Sequence, residues 1–175
     1  MVISRDLGLI PEPILEDLGR RYGSKFHILT QPENKTLVRD LINIIEAGEN
    51  QNVARLLKGL KDDDPSVRYW AATWLGIHKI ADAGPALVKT TWDADPTVRI
   101  AVALALSRLG QPQHGASIIL NTIEDDNWLA GMYAIRALEW SGIRTPAAQA
   151  AVNRALDSPY EFTRRIAKRL SSQFD

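Results

Sequence analysis

The sequence predicts an all-α fold, a solenoid of helix pairs that repeats about every 31 residues. Three observations carry that expectation. Asp64, Asp95, Asp126 and Asp157 stand at a constant spacing of 31. Two of them open the same phrase, Asp64-Pro65-Ser66-Val67-Arg68 and Asp95-Pro96-Thr97-Val98-Arg99. Behind each phrase runs an apolar stripe at helical spacing: Val67, Ala71 and Leu75, then Val98, Val102 and Leu106.

The phrase has a physical reading. An Asp side chain accepts from the unpaired N–H groups at a helix start and sits at the positive end of the dipole. Pro fits the first turn, where its missing N–H costs nothing. The third copy, Asp126-Asn127-Trp128-Leu129, leads to Tyr133, Ala134, Ala137 and Leu138, as if one residue were inserted. The fourth, Asp157-Ser158-Pro159, leads to Phe162, Ile166, Ala167 and Leu170 and is looser still. A second apolar segment follows each of the first three: Pro85–Val88, Ala116–Leu120 and Ala147–Leu156. Gly110-Gln111-Pro112 and Ser141-Gly142 break the chain within pairs.

Upstream the pattern degrades. Residues 34–47 predict a helix with Leu37, Leu41, Ile44 and Ile45 on one face, stopped by Gly48. Residues 51–61 predict its partner, with Val53, Leu56, Leu57 and Leu60. Residues 11–22 predict one short helix around Ile14, Leu15 and Leu18, and residues 23–33 read as irregular. The chain thus divides into an N-terminal linker and short helix segment, 1–33, and a repeat domain, 34–175, of about four to five helix pairs. A helix pair cannot bury its own apolar face, so stacked neighbours must do so, and a terminal repeat needs a polar outer side. Arg164, Arg165, Lys168 and Arg169 supply that side at the C-terminus.

Composition narrows the function. Lys plus Arg equals Asp plus Glu at 21 each, which argues against a dedicated nucleic-acid binder and gives no attraction to anionic membrane. The absence of cysteine excludes disulfides and thiolate metal sites but leaves the compartment open. His27, His78 and His114 lie too far apart for a helical metal pair. The acidic runs Asp62-Asp63-Asp64 and Glu124-Asp125-Asp126 read as caps and solvated turns, since they lack the spacing of a calcium loop. The basic face of 164–169 reads as a polar end, with phosphate binding the sharper alternative.

The phrase Asp-Pro-x-Val-Arg followed by Ala-Ala or Val-Ala resembles the HEAT repeat over residues 34–172. That resemblance implies a right-handed α-α superhelix and a scaffold rather than an enzyme. A narrower resemblance lies in Asp6-Leu7-Gly8-Leu9-Ile10-Pro11-Glu12-Pro13, through Glu16-Asp17-Leu18 and Tyr22-Gly23, together with Arg68-Tyr69-Trp70-Ala71-Ala72. These segments look like the HEAT-like C-terminal region of some bacterial sulfatases, which implies an accessory tail in the periplasm or outside the cell. No catalytic residue carries over, because the Cys/Ser-x-Pro-x-Arg signature of that family is absent here.

The expectation is therefore a non-catalytic protein-binding module with no cofactor, metal, nucleic acid or membrane. Five residues mark its candidate surface. Trp70, Trp92 and Trp128 fall near helix ends, where an aromatic anchor can dock a partner. Arg68 and Arg99 repeat 31 apart, and either pair with carboxylates of adjacent repeats or bind an anion. Trp74 and Trp140 are assigned to the inter-repeat core. The rival readings are a stand-alone protein-binding adaptor and a HEAT-like DNA-binding protein or glycosylase.

Overall fold

A computed structural model describes residues 8–124 and 127–174. Among the described residues ten α-helices follow one another: α1 Glu12–Arg21, α2 Leu37–Glu49, α3 Val53–Gly59, α4 Pro65–Ile77, α5 Gly84–Thr90, α6 Pro96–Arg108, α7 Ala116–Thr122, α8 Trp128–Ser141, α9 Pro146–Ala155 and α10 Glu161–Ser171. The stretch read as irregular winds into two 3-10 segments, Lys25–Thr30 and Pro32–Asn34. From α3 onward a shorter helix is followed by a longer one. The longer helices α2, α4, α6, α8 and α10 stack side by side as one layer, and the shorter ones back them. The result is a HEAT-like α solenoid.

Caps place the long helices. The Asp64 carboxylate accepts from the N–H of Ser66 at 2.7 Å, and Asp95 accepts from Thr97 and Val98 at 2.7 and 3.3 Å. The third cap is Asn127, accepting from Leu129 and Ala130 at 3.1 and 3.2 Å, while Asp126, the expected cap, lies outside the described residues. Asp157 does not cap the last helix. Its N–H donates to the Arg154 carbonyl and finishes α9, and the residue at the cap of α10 is Tyr160. The caps at 64, 95, 127 and 160 are thus spaced 31, then 32, then 33. The constant interval of the aspartates hid a turn that lengthens.

Gly48 is a second correction. It does not end α2 but lies inside it, because the Trp74 ring of α4 packs on its bare Cα; a Cβ there would come within 2.2 Å of that ring. The left-handed residue after the helix is Gln51, at φ 53°. Gly142, at φ 69°, does end α8 in the left-handed conformation that glycine adopts without a Cβ penalty.

The core forms two apolar clusters that meet on α6. Val98, Ala101, Val102, Ala105 and Leu106 face α4 and the N-terminal half, whereas Ile100 and Ala103 face α8 and the C-terminal half. A helix apolar on all sides must be covered on all sides. The stripe residues Val67, Ala71 and Leu75 are buried as their spacing requires. Each fully buried Leu or Ile contributes about 1.5–3 kcal/mol. The N-terminal segment folds back onto the repeats: Ile10, Ile14, Leu15 and Ile28 join the same cluster as α2, α4 and α6. Trp70 fixes it there by donating from Nε1 to the Leu9 carbonyl at 2.7 Å.

α4 and α6 approach closely where a Cβ on Gly76 would stand 2.7 Å from the Ala105 Cα. Two effects oppose each other in Gly76→Ala. Helix propensity favours alanine by about 1 kcal/mol, but overpacking against backbone costs about 1–3 kcal/mol. The neighbouring atom is main chain and cannot rotate away, so overpacking wins. Gly76→Ala is expected to lower the unfolding free energy by about 1–2 kcal/mol in urea titration. An unchanged or raised midpoint would mean that the two helices are free to separate.

Candidate interaction surface

The outward side of the long-helix layer carries a groove of about 290 Å³ between α4, α6 and α8. Its lining follows from helical register. Counted from each cap, the fifth, ninth and thirteenth residues lie on one stripe, turned away from the buried one. On α6 these are Ile100, Leu104 and Arg108, and on α8 they are Met132, Arg136 and Trp140. On α4 the stripe supplies Tyr69 and Thr73. The same positions on α10 are Arg165 and Arg169, so the apolar character stops at the last repeat. Glu12, at the start of α1, closes one end, with its carboxylate held by Lys25 Nζ at 2.7 Å.

Aromatic rings order the floor. Tyr69 meets Tyr133 edge-on with centroids 6.5 Å apart, and meets Trp70 edge-on at 5.4 Å. Burial pushes the Tyr69 phenol up to about 12, with the neighbouring Tyr133 adding to the shift, so it stays a neutral hydroxyl. Burial raises Tyr133 as well, against the opposing hydrogen bond from the Glu12 backbone. The Arg136 guanidinium lies 4.8 Å over the Trp140 ring, a cation–π contact that holds both side chains at the rim. Trp140 is 56% exposed and not core, contrary to the sequence expectation. Trp74 is half-buried; it stacks on His78, whose Nε2 donates to the Gly48 carbonyl at 2.7 Å.

The sequence-predicted residues sit elsewhere, mostly along the turns that precede the long helices. Arg68 donates from Nε and Nη2 to both carboxylate oxygens of Asp93 in the next repeat, at 2.7 and 2.8 Å, and from Nη1 to the carbonyls of Asp62 and Asp63. The pair is nearly buried, at 15% and 8% side-chain exposure, and is spent on joining two repeats. Arg99 repeats half of this, donating to the carbonyls of Asp93 and Ala94. Arg164 does likewise to Ser158. In the third repeat the position is Gly131, where a Cβ would meet the Ile123 carbonyl oxygen at 2.9 Å and an arginine has no room.

Trp70 is half-buried under Leu9 and touches the groove only through Tyr69. Trp92 is 89% exposed at the edge beside Arg99 and His114. Trp128 stacks on Tyr160 at 5.8 Å and ties the start of α8 to the start of α10. The five predicted residues therefore do not converge on one site. The basic run of α10 is also divided, since Arg169 makes a two-pronged ion pair with Glu139 at 2.6 and 2.9 Å and Arg164 is engaged as above.

Residues missed by sequence reasoning are Tyr69, Leu104, Arg108, Met132, Tyr133 and Arg136. A signal for them existed. Each of α4, α6 and α8 carries a second stripe, four residues apart, that is too apolar and aromatic for an ordinary solvent face. A second missed feature is the residue two before the cap: Asp62, Asp93 and Ser158 accept the N–H of Asp64, Asp95 and Tyr160 and fold each turn.

Residues 53–120 match the HEAT repeats family. The match begins at the first residue of α3 and ends within α7. The matched segment holds the Arg68–Asp93 strut and two of the three groove helices. The family's repeats suggest a protein-interaction or scaffold role. The chain has no significant match among curated proteins.

The cap of α4 offers a test by pH. Burial raises the Asp64 carboxyl above the usual carboxylate range, against the lowering effect of the Ser66 N–H it accepts. The folded state therefore binds the proton more tightly than the unfolded chain, and the stability Asp64 contributes falls as pH rises through its folded pKa. Asn caps as well as Asp and carries no charge. Asp64→Asn should match wild type within about 0.5 kcal/mol below about pH 4 and become the more stable of the two at neutral pH. Urea midpoints at both pH values check this; a variant less stable at neutral pH would mean that the cap relies on its charge.

Proposed function

We propose that this chain is a non-catalytic protein-interaction module that holds a partner polypeptide in the groove across α4, α6 and α8. One observation carries the reading. Three consecutive long helices line one groove at the same register with apolar and aromatic side chains, Tyr69 on α4, Leu104 on α6 and Met132 and Trp140 on α8, and the next places Arg165 and Arg169 there. Tyr, Trp and Arg are the residue types that dominate binding energy at protein interfaces. The groove volume lies at the floor of the range for small-molecule pockets, about 300–1,000 Å³, which favours side chains of a larger partner over a cofactor. The reading assigns the chain no catalytic group, metal, nucleic acid or membrane.

Site-specific photo-crosslinking tests it. Met132→p-benzoylphenylalanine, introduced in the source cells, should yield an adduct with a defined polypeptide, and Arg165→p-benzoylphenylalanine on α10 should not. The purified partner should then bind wild type and lose about tenfold in affinity on Tyr133→Ala. Equal adducts at both positions, or none at either, would sink the reading.

The finer placement is as the C-terminal accessory region of a larger bacterial sulfatase-like hydrolase, which would put it in the periplasm or outside the cell. It rests on the sequence resemblance of the two segments; in the fold they touch, Leu9 of the first accepting the hydrogen bond of Trp70 in the second. The coding DNA upstream of Met1 decides. An open frame leading to a Cys/Ser-x-Pro-x-Arg signature is the expected result; an in-frame stop directly before Met1 would leave a stand-alone adaptor.

A further inference from the structure

We infer that the partner segment accepted by this groove carries an acidic side chain next to an apolar one. The inference rests on the proposed function and names the chemistry of the occupant. Arg108 ends the outward stripe of α6, and Arg136 stands in the middle of that of α8, on neighbouring helices. Among the described residues neither guanidinium is in an ion pair, whereas Arg68, Arg154 and Arg169 all bind carboxylates of neighbouring repeats. Glu12 is the one acidic residue of the lining, and Lys25 already holds it. The two arginines therefore put uncompensated positive charge on a chain whose formal net charge is zero.

The Arg136 guanidinium lies 4.8 Å over the Trp140 ring, which anchors it at the rim of the groove, and a guanidinium can grip a carboxylate with two hydrogen bonds. Between and beside the arginines the groove is lined by Leu104 and Met132 over the buried Ile100 and Ala137, an apolar floor that has no use for charge and takes an apolar side chain. A nucleic acid fits less well. Its phosphates recur along the whole strand and call for a run of cations, but the stripe on α4 offers only Tyr69 and Thr73.

A random-peptide phage library selected against the folded chain tests the inference without presuming a sequence. The expected winners pair Asp or Glu with a neighbouring Leu, Phe, Ile or Trp. Synthetic copies should weaken about tenfold or more on Arg108→Glu or Arg136→Glu, and weaken with added salt. They should bind Arg165→Glu as they bind wild type. Circular dichroism confirms that each variant is folded, and Arg108→Gln and Arg136→Gln stand in for any that is not.

Winners that lose binding on Tyr133→Ala yet lack acidic residues, or ignore both charge reversals, would overturn this inference and leave the interaction module standing. Basic winners would do the same. A selection with no winner would overturn the inference for linear segments, and the crosslinking above would then decide alone whether the groove binds a protein at all.

Discussion

α6 has no side turned fully to water. Its residues alternate between two clusters, and the chain on either side must supply the cover. That demand fixes the architecture. α4 approaches closely on one flank because Gly76 removes a Cβ opposite Ala105, and the turn before α7 approaches because Gly115 does the same opposite Ala103. Small residues at these contacts let the main chains meet at a distance that larger side chains forbid, so the apolar stripes of successive repeats form one continuous interior. Remove α6 and neither cluster retains a wall.

The turns convert that stack into a register. α4 and α6 each begin where three polar devices coincide. A residue two before the cap accepts the cap's N–H, the cap accepts from the first turn, and an arginine four residues on reaches back to the turn carbonyls. In the Arg68–Asp93 pair the same parts also reach into the next repeat, because Asp93 serves its own turn and the arginine of its neighbour at once. Breaking such a nearly buried pair by losing one partner leaves an uncompensated charge, which is the costly direction. The phrase Asp-Pro-x-Val-Arg is thus a joint before it is anything else, and this is why its arginines are poor candidates for binding a foreign anion.

With the joints occupied at one edge and the small residues committed to the interior, the outward stripe of the long helices is left unconstrained by folding. There the chain places Tyr69, Leu104, Met132, Tyr133 and Trp140 with Arg108 and Arg136. The N-terminal segment borders the same face through Leu9 and Glu12. A partner in the groove would therefore meet the N-terminal segment as well as the repeats.

The sequence by itself determined the helix pairs, the cap chemistry of Asp64 and Asp95, the buried stripes and the absence of a cysteine site, because each of these is written in local spacing. It did not determine where the period slips, since the Asp157 that keeps the interval of 31 ends one helix instead of starting the next. Nor did it separate Trp74 from Trp140: both lie on long helices with apolar neighbours, and only the stacking decides that one packs on Gly48 and the other stands at the rim of a groove. The tertiary structure also decided that Arg68 is a strut and that Arg108 and Arg136 are free of ion pairs among the described residues. Partners some 25 to 30 residues apart in the chain are brought together by repeat stacking, and local pattern carries no record of which side chains that stacking uses up.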